Sequence, residues 1–236
     1  MAFENYGMTA TRARADVLGV FMRGVYKWMS IGLAVTAATA YMVAASPAAQ
    51  QVIFGNQIVF FGLIIGELAL VMGLSAAIGR LSAGTANGLF LLYSGLNGLT
   101  LSAVLLAYTG ESVFMTFVIC AGMFGAMSIY GMTTKKDLTS MGSFLFMGLI
   151  GILLASVVNI FMQSSVMHFV ISVIGVIVFT GLTAYDTQKL RYMGETMPAD
   201  DATAVQRGTI LGALTLYLDF INLFLMLLRL FGARRD

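Results

Sequence analysis

Long apolar segments dominate this chain, and short polar segments separate them. Seven apolar segments can be recognised, at 27–45, 58–79, 87–107, 112–132, 141–162, 165–187 and 208–231. A helix rises about 1.5 Å per residue, so segments of this length approach or cross the roughly 30 Å hydrocarbon core of a bilayer. The pattern predicts an all-α integral membrane protein with seven transmembrane helices.

The composition supports a membrane protein. Of the 236 residues, 59% are hydrophobic and 10% are charged, whereas a soluble domain carries roughly 25% charged residues. The first two dozen residues are polar and basic, so we expect no cleavable signal peptide. The single cysteine, Cys120, lies within an apolar segment, and a disulfide framework is therefore excluded.

The basic residues are distributed unevenly along the chain. Ten lysines and arginines lie in the N-terminal tail and in the loops after the second, fourth and sixth segments, and the three other loops contain none. Because basic loops stay in the cytoplasm, we expect a cytoplasmic N-terminus. Arg234 and Arg235 then lie outside, unless the last segment is re-entrant. We favour a full crossing, because the preceding loops already fix the orientation.

We divide the chain into a basic N-terminal segment, 1–26, a membrane domain, 27–232, and a short tail, 233–236. Apolar residues at 17–28 recur with helical period, which predicts an amphipathic helix on the membrane surface, preceded by a disordered tail. The longest polar segment, 188–207, is expected to form a solvated cytoplasmic loop.

The second apolar segment carries small residues along one face. They recur at steps of three and four: Gly62, Gly66, Ala69, Gly73 and Ala76. Such a face is typical of close helix–helix packing in membranes. Arg80 ends the same face at its cytoplasmic end, where it could extend to lipid phosphates or pair with an acid of a neighbouring helix.

The last segment contains an ionisable residue, Asp219, near its middle. A charge at that depth costs a few kcal/mol or more, so such a residue usually marks a functional path. Steps of four and three place five residues on one face of this helix: Gly208, Gly212, Thr215, Asp219 and Asn222. We expect this face to point inward, with Thr215 and Asn222 along an ion path.

Three of the eleven acidic residues lie within apolar segments: Glu67, Asp186 and Asp219. We interpret Asp219 as functional. Asp186 lies at a segment end, where an aspartate is often merely solvated. Glu67 is compatible with either a structural hydrogen bond or an ion path.

Motifs of enzymes are missing from the sequence. It contains no GxSxG, HExxH, Walker or GxGxxG pattern. The one histidine, His168, lies near the outer end of the sixth segment, and we interpret it as a packed or interfacial residue. We therefore expect no enzymatic activity, no cofactor and no binding of nucleic acid.

Four sequence runs resemble one known family. AYDTQKL at 184–190 and LYLDFINLF at 216–224 resemble the paired C-terminal signatures of the Bax inhibitor-1 (transmembrane Bax inhibitor motif) family, close to its bacterial YccA-like branch. IIGELAL in the second segment and NGLTLS at 97–102 are also similar to it. The resemblance implies seven helices, with the seventh enclosed by two layers of three. It also implies a pH-sensitive calcium leak channel of the bacterial cytoplasmic (inner) membrane.

The resemblance assigns roles to individual residues. The positions that match the family's proton-sensing aspartates are Asp186 and Asp219. The resemblance also implies that an arginine of the second helix exchanges with the sixth-helix aspartate, here Asp186, as a partner in the pair. Arg80, the basic residue at the cytoplasmic end of that segment, is therefore the latch candidate. The long, acid-bearing polar segment between the two motifs departs from the family pattern.

The physics of two nearby acids supports such a sensor. Two carboxylates in a low dielectric cannot easily both ionise, and they titrate as a pair. At low pH a shared proton would hold the sixth and seventh segments together and close the path. At higher pH the two charges would repel each other and offer oxygen ligands to a transient calcium ion. Calcium ions, protons and the lipid bilayer are the expected partners.

Two other functions are compatible with the sequence. One is a membrane regulator that binds a membrane protease or stress factor and carries no flux, and the other is a proton-coupled cation transporter. The channel hypothesis requires contact between Asp186 and Asp219. The predicted boundaries leave these residues roughly 10 Å or more apart in depth, so contact requires a deeper start of the seventh helix or a tilted sixth helix.

Overall fold

The structure is a computed structural model that describes residues 2–198 and 201–235, with side chains from residue 16 onward. Most side chains of the predicted N-terminal segment, 1–26, therefore lie outside the described residues. Eight α-helices follow one another in the described chain: α1 Ala2–Ala44, α2 Pro47–Phe54, α3 Gln57–Ala77, α4 Ala83–Ala107, α5 Gly110–Thr133, α6 Thr139–Met162, α7 Ser165–Thr196 and α8 Ala202–Phe231. A short 3₁₀ turn, Ile78–Arg80, extends α3.

Six of these helices are long and apolar enough to cross a membrane, namely α3 with its 3₁₀ turn and each of α4 to α8. A seventh span is reached within the described residues if Asp16–Ala44 and Pro47–Phe54 count together, although these two pieces meet at 101°. The all-α membrane architecture predicted from the apolar segments is confirmed.

The bend between α1 and α2 has a local cause. Pro47 occupies the first turn of α2, where its missing N–H is not needed. Ser46 caps the same helix, because its Oγ accepts a hydrogen bond from Ala49 N at 3.3 Å. The connection after the first predicted span is therefore a short helix, and the prediction of a simple loop was wrong.

The first helix differs from its prediction in a second way. It continues to Ala44 without a break, so the expected boundary between a surface helix and the first span is not present. Phe21 and Val25, which belong to the predicted lipid-facing stripe, are fully buried. A Cβ at Gly212 of α8 would lie 3.0 Å from Val25. This face of α1 packs against protein, and the prediction of a stripe in contact with lipid was wrong.

The polar segment 188–207 is mostly helical, and the prediction of a solvated loop there was also wrong. α7 extends to Thr196 and α8 begins at Ala202. An ion pair one turn apart supports the extension of α7, in which Arg191 Nε lies 3.4 Å from Glu195 Oε1. The extension also removes the depth problem, because Asp186 is ten residues from the end of α7 rather than at it.

The chain forms two compact units. One contains residues 1–107 and 190–217, and the other contains 108–189 and 218–236. The division falls within α7 and within α8. α8 is the most buried of the six long apolar helices, with 67% of its most apolar stretch buried, against 11–39% in the other five. This supports the expectation of an enclosed last helix, and the two layers of three stay a prediction.

The small-residue face of α3 has no packing partner among the described residues. Gly62, Gly66 and Gly73 have no neighbouring atom within 4 Å of a Cβ built on them. Ala69 and Ala76 are exposed as well. The prediction that this face packs against another helix was wrong for contacts within this chain.

The C-terminal tail folds back onto the connection between α4 and α5. Thr109 N donates to Ala233 O at 3.0 Å, and Ala233 N donates to Ser112 Oγ at 2.7 Å. α8 itself is one uninterrupted helix of 30 residues, about 45 Å long at 1.5 Å per residue. A re-entrant segment would need a break, so the continuous helix supports the full crossing.

Candidate functional site

The two predicted sensor residues meet. Asp186 of α7 and Asp219 of α8 belong to the same compact unit, and their side chains lie within hydrogen-bonding distance of each other. An ionised carboxylate can only accept, so a hydrogen bond between two carboxyl groups requires a proton on one of them. The two carboxyl groups are therefore close enough to share a proton.

The two acids differ in exposure. Asp219 is 6% exposed, whereas Asp186 is half-buried. Asp219 Oδ2 is buried and has no hydrogen-bond partner among the described residues. Since buried polar atoms are normally satisfied, this oxygen is an unusual feature of the site. It leaves Asp186 as the main polar contact of a deeply buried acid.

Glycines allow α5 and α6 to approach α7 beside Asp186. A Cβ at Gly131 of α5 would collide with the carbonyl of Ala184, and a Cβ at Gly142 of α6 would overlap the ring of Tyr185. These contacts flank Asp186 at the two preceding positions of α7. Close packing of this kind limits how far the helix can move without a concerted rearrangement.

An aromatic cluster holds α8 beside Asp219. The Phe220 ring centroid lies 5.4 Å from those of Phe117 and Phe124, in tilted edge contacts. Cys120 Sγ lies 3.7 Å from the Phe220 carbonyl, as a weak donor. All three partners are on α5, so α5 contacts both helices that carry the acidic pair.

Among the described residues, a lysine interacts with the acidic pair. Lys189, one turn after Asp186, is close enough to interact electrostatically with it. Arg80, the latch candidate, is exposed and makes no hydrogen bond or ion pair in the described part of the chain. The latch role of Arg80 stays a prediction, and no contact in its own compact unit supports it.

A different arginine is engaged at the end of α3. Arg207 of α8 donates from Nε to Leu81 O at 2.6 Å and from Nη1 to Gly79 O at 3.0 Å. These carbonyls belong to the turn after α3, which would otherwise lack partners. Sequence reasoning missed this clamp, because nothing local to Arg207 indicates which carbonyls it will reach.

Glu67 lies in a separate polar cluster, in the other compact unit. Its Oε1 accepts from Thr100 Oγ1 at 3.0 Å, and its Oε2 accepts from Asn97 Nδ2 at 3.4 Å. The same Asn97 nitrogen lies 3.5 Å from the Tyr93 hydroxyl. The runs IIGELAL and NGLTLS, distant in sequence, therefore meet at one buried acid with neutral donors.

A second polar contact in that unit was not predicted. The Tyr217 hydroxyl lies 2.7 Å from Thr36 Oγ1, and Thr36 also donates to Ser94 O at 2.9 Å. Tyr217 is fully buried. The available signal was a tyrosine in a long apolar segment, because a buried hydroxyl needs a partner.

The predicted polar face of α8 makes packing contacts and hydrogen bonds within its own helix. Thr215 donates to Leu211 O at 3.0 Å and Asn222 donates to Leu218 O at 2.8 Å, so both side chains bond their own helix. At the start of the face, a Cβ at Gly208 would overlap Met197. The glycine end of this face is a packing contact, and the path role of Thr215 and Asn222 stays a prediction.

Two remaining predictions concern His168 and calcium. His168 is exposed. In the described part of the chain, no three His, Cys, Asp or Glu residues cluster as a metal site. Two carboxylates supply fewer oxygens than the six to eight that calcium takes. The transient binding of calcium at the two aspartates stays a prediction.

Comparison with known proteins identifies the family of this chain. A sequence model of the family described as "Inhibitor of apoptosis-promoting Bax1" matches residues 18–236. The chain is 56% identical over 218 residues to the inner membrane protein YbhL of Escherichia coli strain K12, covering 92% of this chain and 93% of the relative.

Two further relatives carry no functional name. An uncharacterized protein of Borreliella burgdorferi is 48% identical, covering 96% of this chain and 98% of the relative. An uncharacterized membrane protein of Streptococcus pyogenes serotype M1 is 39% identical, with 93% and 95% covered. The family model and the relatives together show that this chain belongs to the Bax inhibitor-1 family of multi-pass inner membrane proteins.

Proposed function

We propose that this protein is a pH-sensitive calcium leak channel of the cytoplasmic membrane, with Asp186 and Asp219 as its proton sensor and gate. One observation carries the proposal: two acids on different membrane-spanning helices lie within hydrogen-bonding distance of each other, and one of them is almost fully buried. Ionisable residues inside a membrane are costly and are rarely retained without a role.

The gate follows from the chemistry of the pair. While one proton is present, the hydrogen bond ties α7 to α8 and the path is closed. When the pH rises and this proton leaves, two negative charges face each other at hydrogen-bonding distance and repel. Separation of the helices would open a path, and the carboxylates would provide oxygens along it for a partly hydrated calcium ion. The leak should therefore increase with pH.

The proposal also includes the orientation of the chain in the membrane and the absence of an enzymatic reaction. We place the N-terminus in the cytoplasm, from the distribution of lysine and arginine. The protein would carry ions without covalent chemistry. A membrane protease or stress factor as a binding partner belongs to the rival function, a regulator without flux.

Calcium flux into liposomes tests the proposal. The purified protein is reconstituted with a calcium-sensitive dye inside, and the pH is varied equally on both sides of the bilayer. We expect a flux that rises with pH, stays proportional to the calcium gradient and exceeds that of protein-free liposomes. Saturating flux coupled to proton counterflow would identify a transporter, and the absence of flux at every pH would favour the regulator.

A further inference from the structure

Gln188 connects the helix of Asp186 to a distant loop. It is 2% exposed and follows Asp186 by two residues. Its Oε1 accepts from Leu138 N at 2.9 Å, and its Nε2 donates to Lys136 O at 2.8 Å. Both ends of one buried amide are thus used on the connection between α5 and α6, about 50 residues away in sequence. The two bonds form a clamp, which we call the Gln188 clamp.

The loop that receives the clamp is itself ordered by hydrogen bonds. Asp137 Oδ1 accepts from Thr139 N at 2.9 Å and from Thr139 Oγ1 at 2.6 Å, which fixes the start of α6. Lys136 N donates to Thr134 Oγ1 at 3.2 Å. The Gln188 clamp therefore ties α7 to a defined anchor rather than to an unstructured loop.

The clamp acts on the side of α7 opposite to the acidic pair. Successive residues of an α-helix differ by about 100° of rotation, so residues two positions apart differ by about 200°. Gln188 and Asp186 therefore point in nearly opposite directions. Between them, Thr187 Oγ1 lies 3.5 Å from Ser128 Oγ on α5. The three consecutive residues of the DTQ run thus contact α8, α5 and the α5–α6 connection in turn. Rotation or axial sliding of α7 would break the clamp.

We infer that Gln188 is a positioning residue, which fixes the rotation and depth of α7 so that Asp186 meets Asp219. The effect of Gln188 on calcium flux rests on the function proposed above. Its effect on the distance between Asp186 and Asp219 does not. Two groups that must meet tolerate little misplacement. In reactions between positioned groups, a shift of about 1 Å can lower the rate roughly a hundredfold.

A matched control lies at the other end of α6. Asn159 is also 2% exposed, and its Oδ1 accepts from Ser164 N at 3.0 Å. It anchors a turn only five residues away, and the hydrogen bond of its side chain in the described residues does not involve the pair. Asn159→Leu and Gln188→Leu each remove one buried loop-anchoring amide, with one hydrogen bond lost in the first variant and two in the second. The unfolding temperature of both variants is therefore measured, so that general destabilisation can be told apart from misplacement of α7.

The first test measures proximity without any flux. Asp186→Cys and Asp219→Cys are introduced into the full chain together with Cys120→Ala, which leaves these two thiols alone, and the rate of oxidative cross-linking is followed. We expect Gln188→Leu to slow cross-linking by about tenfold or more, and Asn159→Leu to leave it nearly unchanged. Gln188→Glu keeps the bond from Leu138 N and should give an intermediate rate. Equal rates in the Gln188→Leu and parent backgrounds would overturn the inference.

The second test measures the pH profile of calcium flux in liposomes. We expect Gln188→Leu to flatten or displace the profile, Gln188→Glu to restore part of it, and Asn159→Leu to preserve its shape. A profile unchanged in Gln188→Leu would contradict the positioning role. If the wild-type protein carries no flux, the proposed channel function fails, and the cross-linking rates still decide the role of Gln188.

Discussion

Two buried acids in this protein have different partners, and the difference indicates which one senses protons. Glu67 accepts from a threonine hydroxyl and an asparagine amide, both neutral donors that can satisfy an ionised carboxylate. Asp219 faces another acid, and its second oxygen has no partner among the described residues. Neutral donors hold their acid at any pH, whereas an acid partner holds it only while a proton is shared.

The comparison therefore separates a structural acid from a switching acid. Depth in an apolar segment is common to both residues and does not distinguish them. What distinguishes them is whether the hydrogen bond of the acid depends on its own proton. The predictions that follow change one acid or its surroundings at a time and are arranged from the largest expected effect to the smallest.

The largest effect is expected at Asp219. In Asp219→Asn, the amide can donate to Asp186 at every pH, so the pair stays linked and calcium flux should fall by about tenfold at high pH, equivalent to about 1.4 kcal/mol in the opening equilibrium. In Asp219→Ala, the link is missing, and flux should become high and independent of pH. Liposome flux assays check both. Equal flux in the two variants would rule out a gate formed by this link.

A second prediction concerns the close packing beside Asp186. Gly131→Ala places a methyl group against the Ala184 carbonyl, and overpacking of this kind costs about 1–3 kcal/mol. We expect a lower unfolding temperature in detergent micelles and an altered pH profile of flux. The control is Gly122→Ala on the same helix, where nothing lies within 4 Å of the new methyl group. Equal losses in both variants would show that the close contact is unimportant.

A third prediction concerns the cation beside the pair. Removal of positive charge in Lys189→Gln makes ionisation of Asp186 less favourable, so the rise of flux should move to higher pH. Since Lys189 is exposed, solvent screening keeps the shift small. Arg80→Gln should leave the profile in place. A shift caused by Arg80→Gln instead would restore the arginine as the latch.

The smallest effect is expected at Glu67. Gln has the same shape and keeps an acceptor oxygen for Thr100, so Glu67→Gln should preserve the pH profile of flux. A cost of about 1 kcal/mol in stability is expected for the weakened hydrogen bonds, measured as a small loss of unfolding temperature. A flat pH profile in this variant would show that Glu67 is also a sensor, and the contrast between the two acids would disappear.

The helices and the acids could be predicted from the sequence, because both depend on local information. Apolar length gives a membrane span, and an aspartate in the middle of such a span is conspicuous whatever surrounds it. The contact between Asp186 and Asp219 was predicted from family resemblance alone. The predicted ends of the apolar segments placed the two acids at different depths, because a span predicted from hydrophobicity ends where the polar residues begin. In the structure, α7 continues as a helix to Thr196.

What could not be predicted depends on partners distant in the chain. Gln188 and Arg207 lie in a segment that is polar enough to be taken for a loop, and only the folded chain shows their acceptors at Lys136 and Gly79. The packing prediction for the small-residue face of α3 was wrong for the same reason. Spacing shows that the Gly and Ala residues share a face, but it does not show whether another helix lies there.

The most direct test of the account is the pH dependence of calcium flux in liposomes for the wild type, Asp219→Asn and Glu67→Gln, measured side by side. The account predicts a flux that rises with pH in the wild type and in Glu67→Gln, and a low, nearly constant flux in Asp219→Asn. Retention of the wild-type profile in Asp219→Asn, or its loss in Glu67→Gln alone, would contradict the claim that the aspartate pair is the sensor.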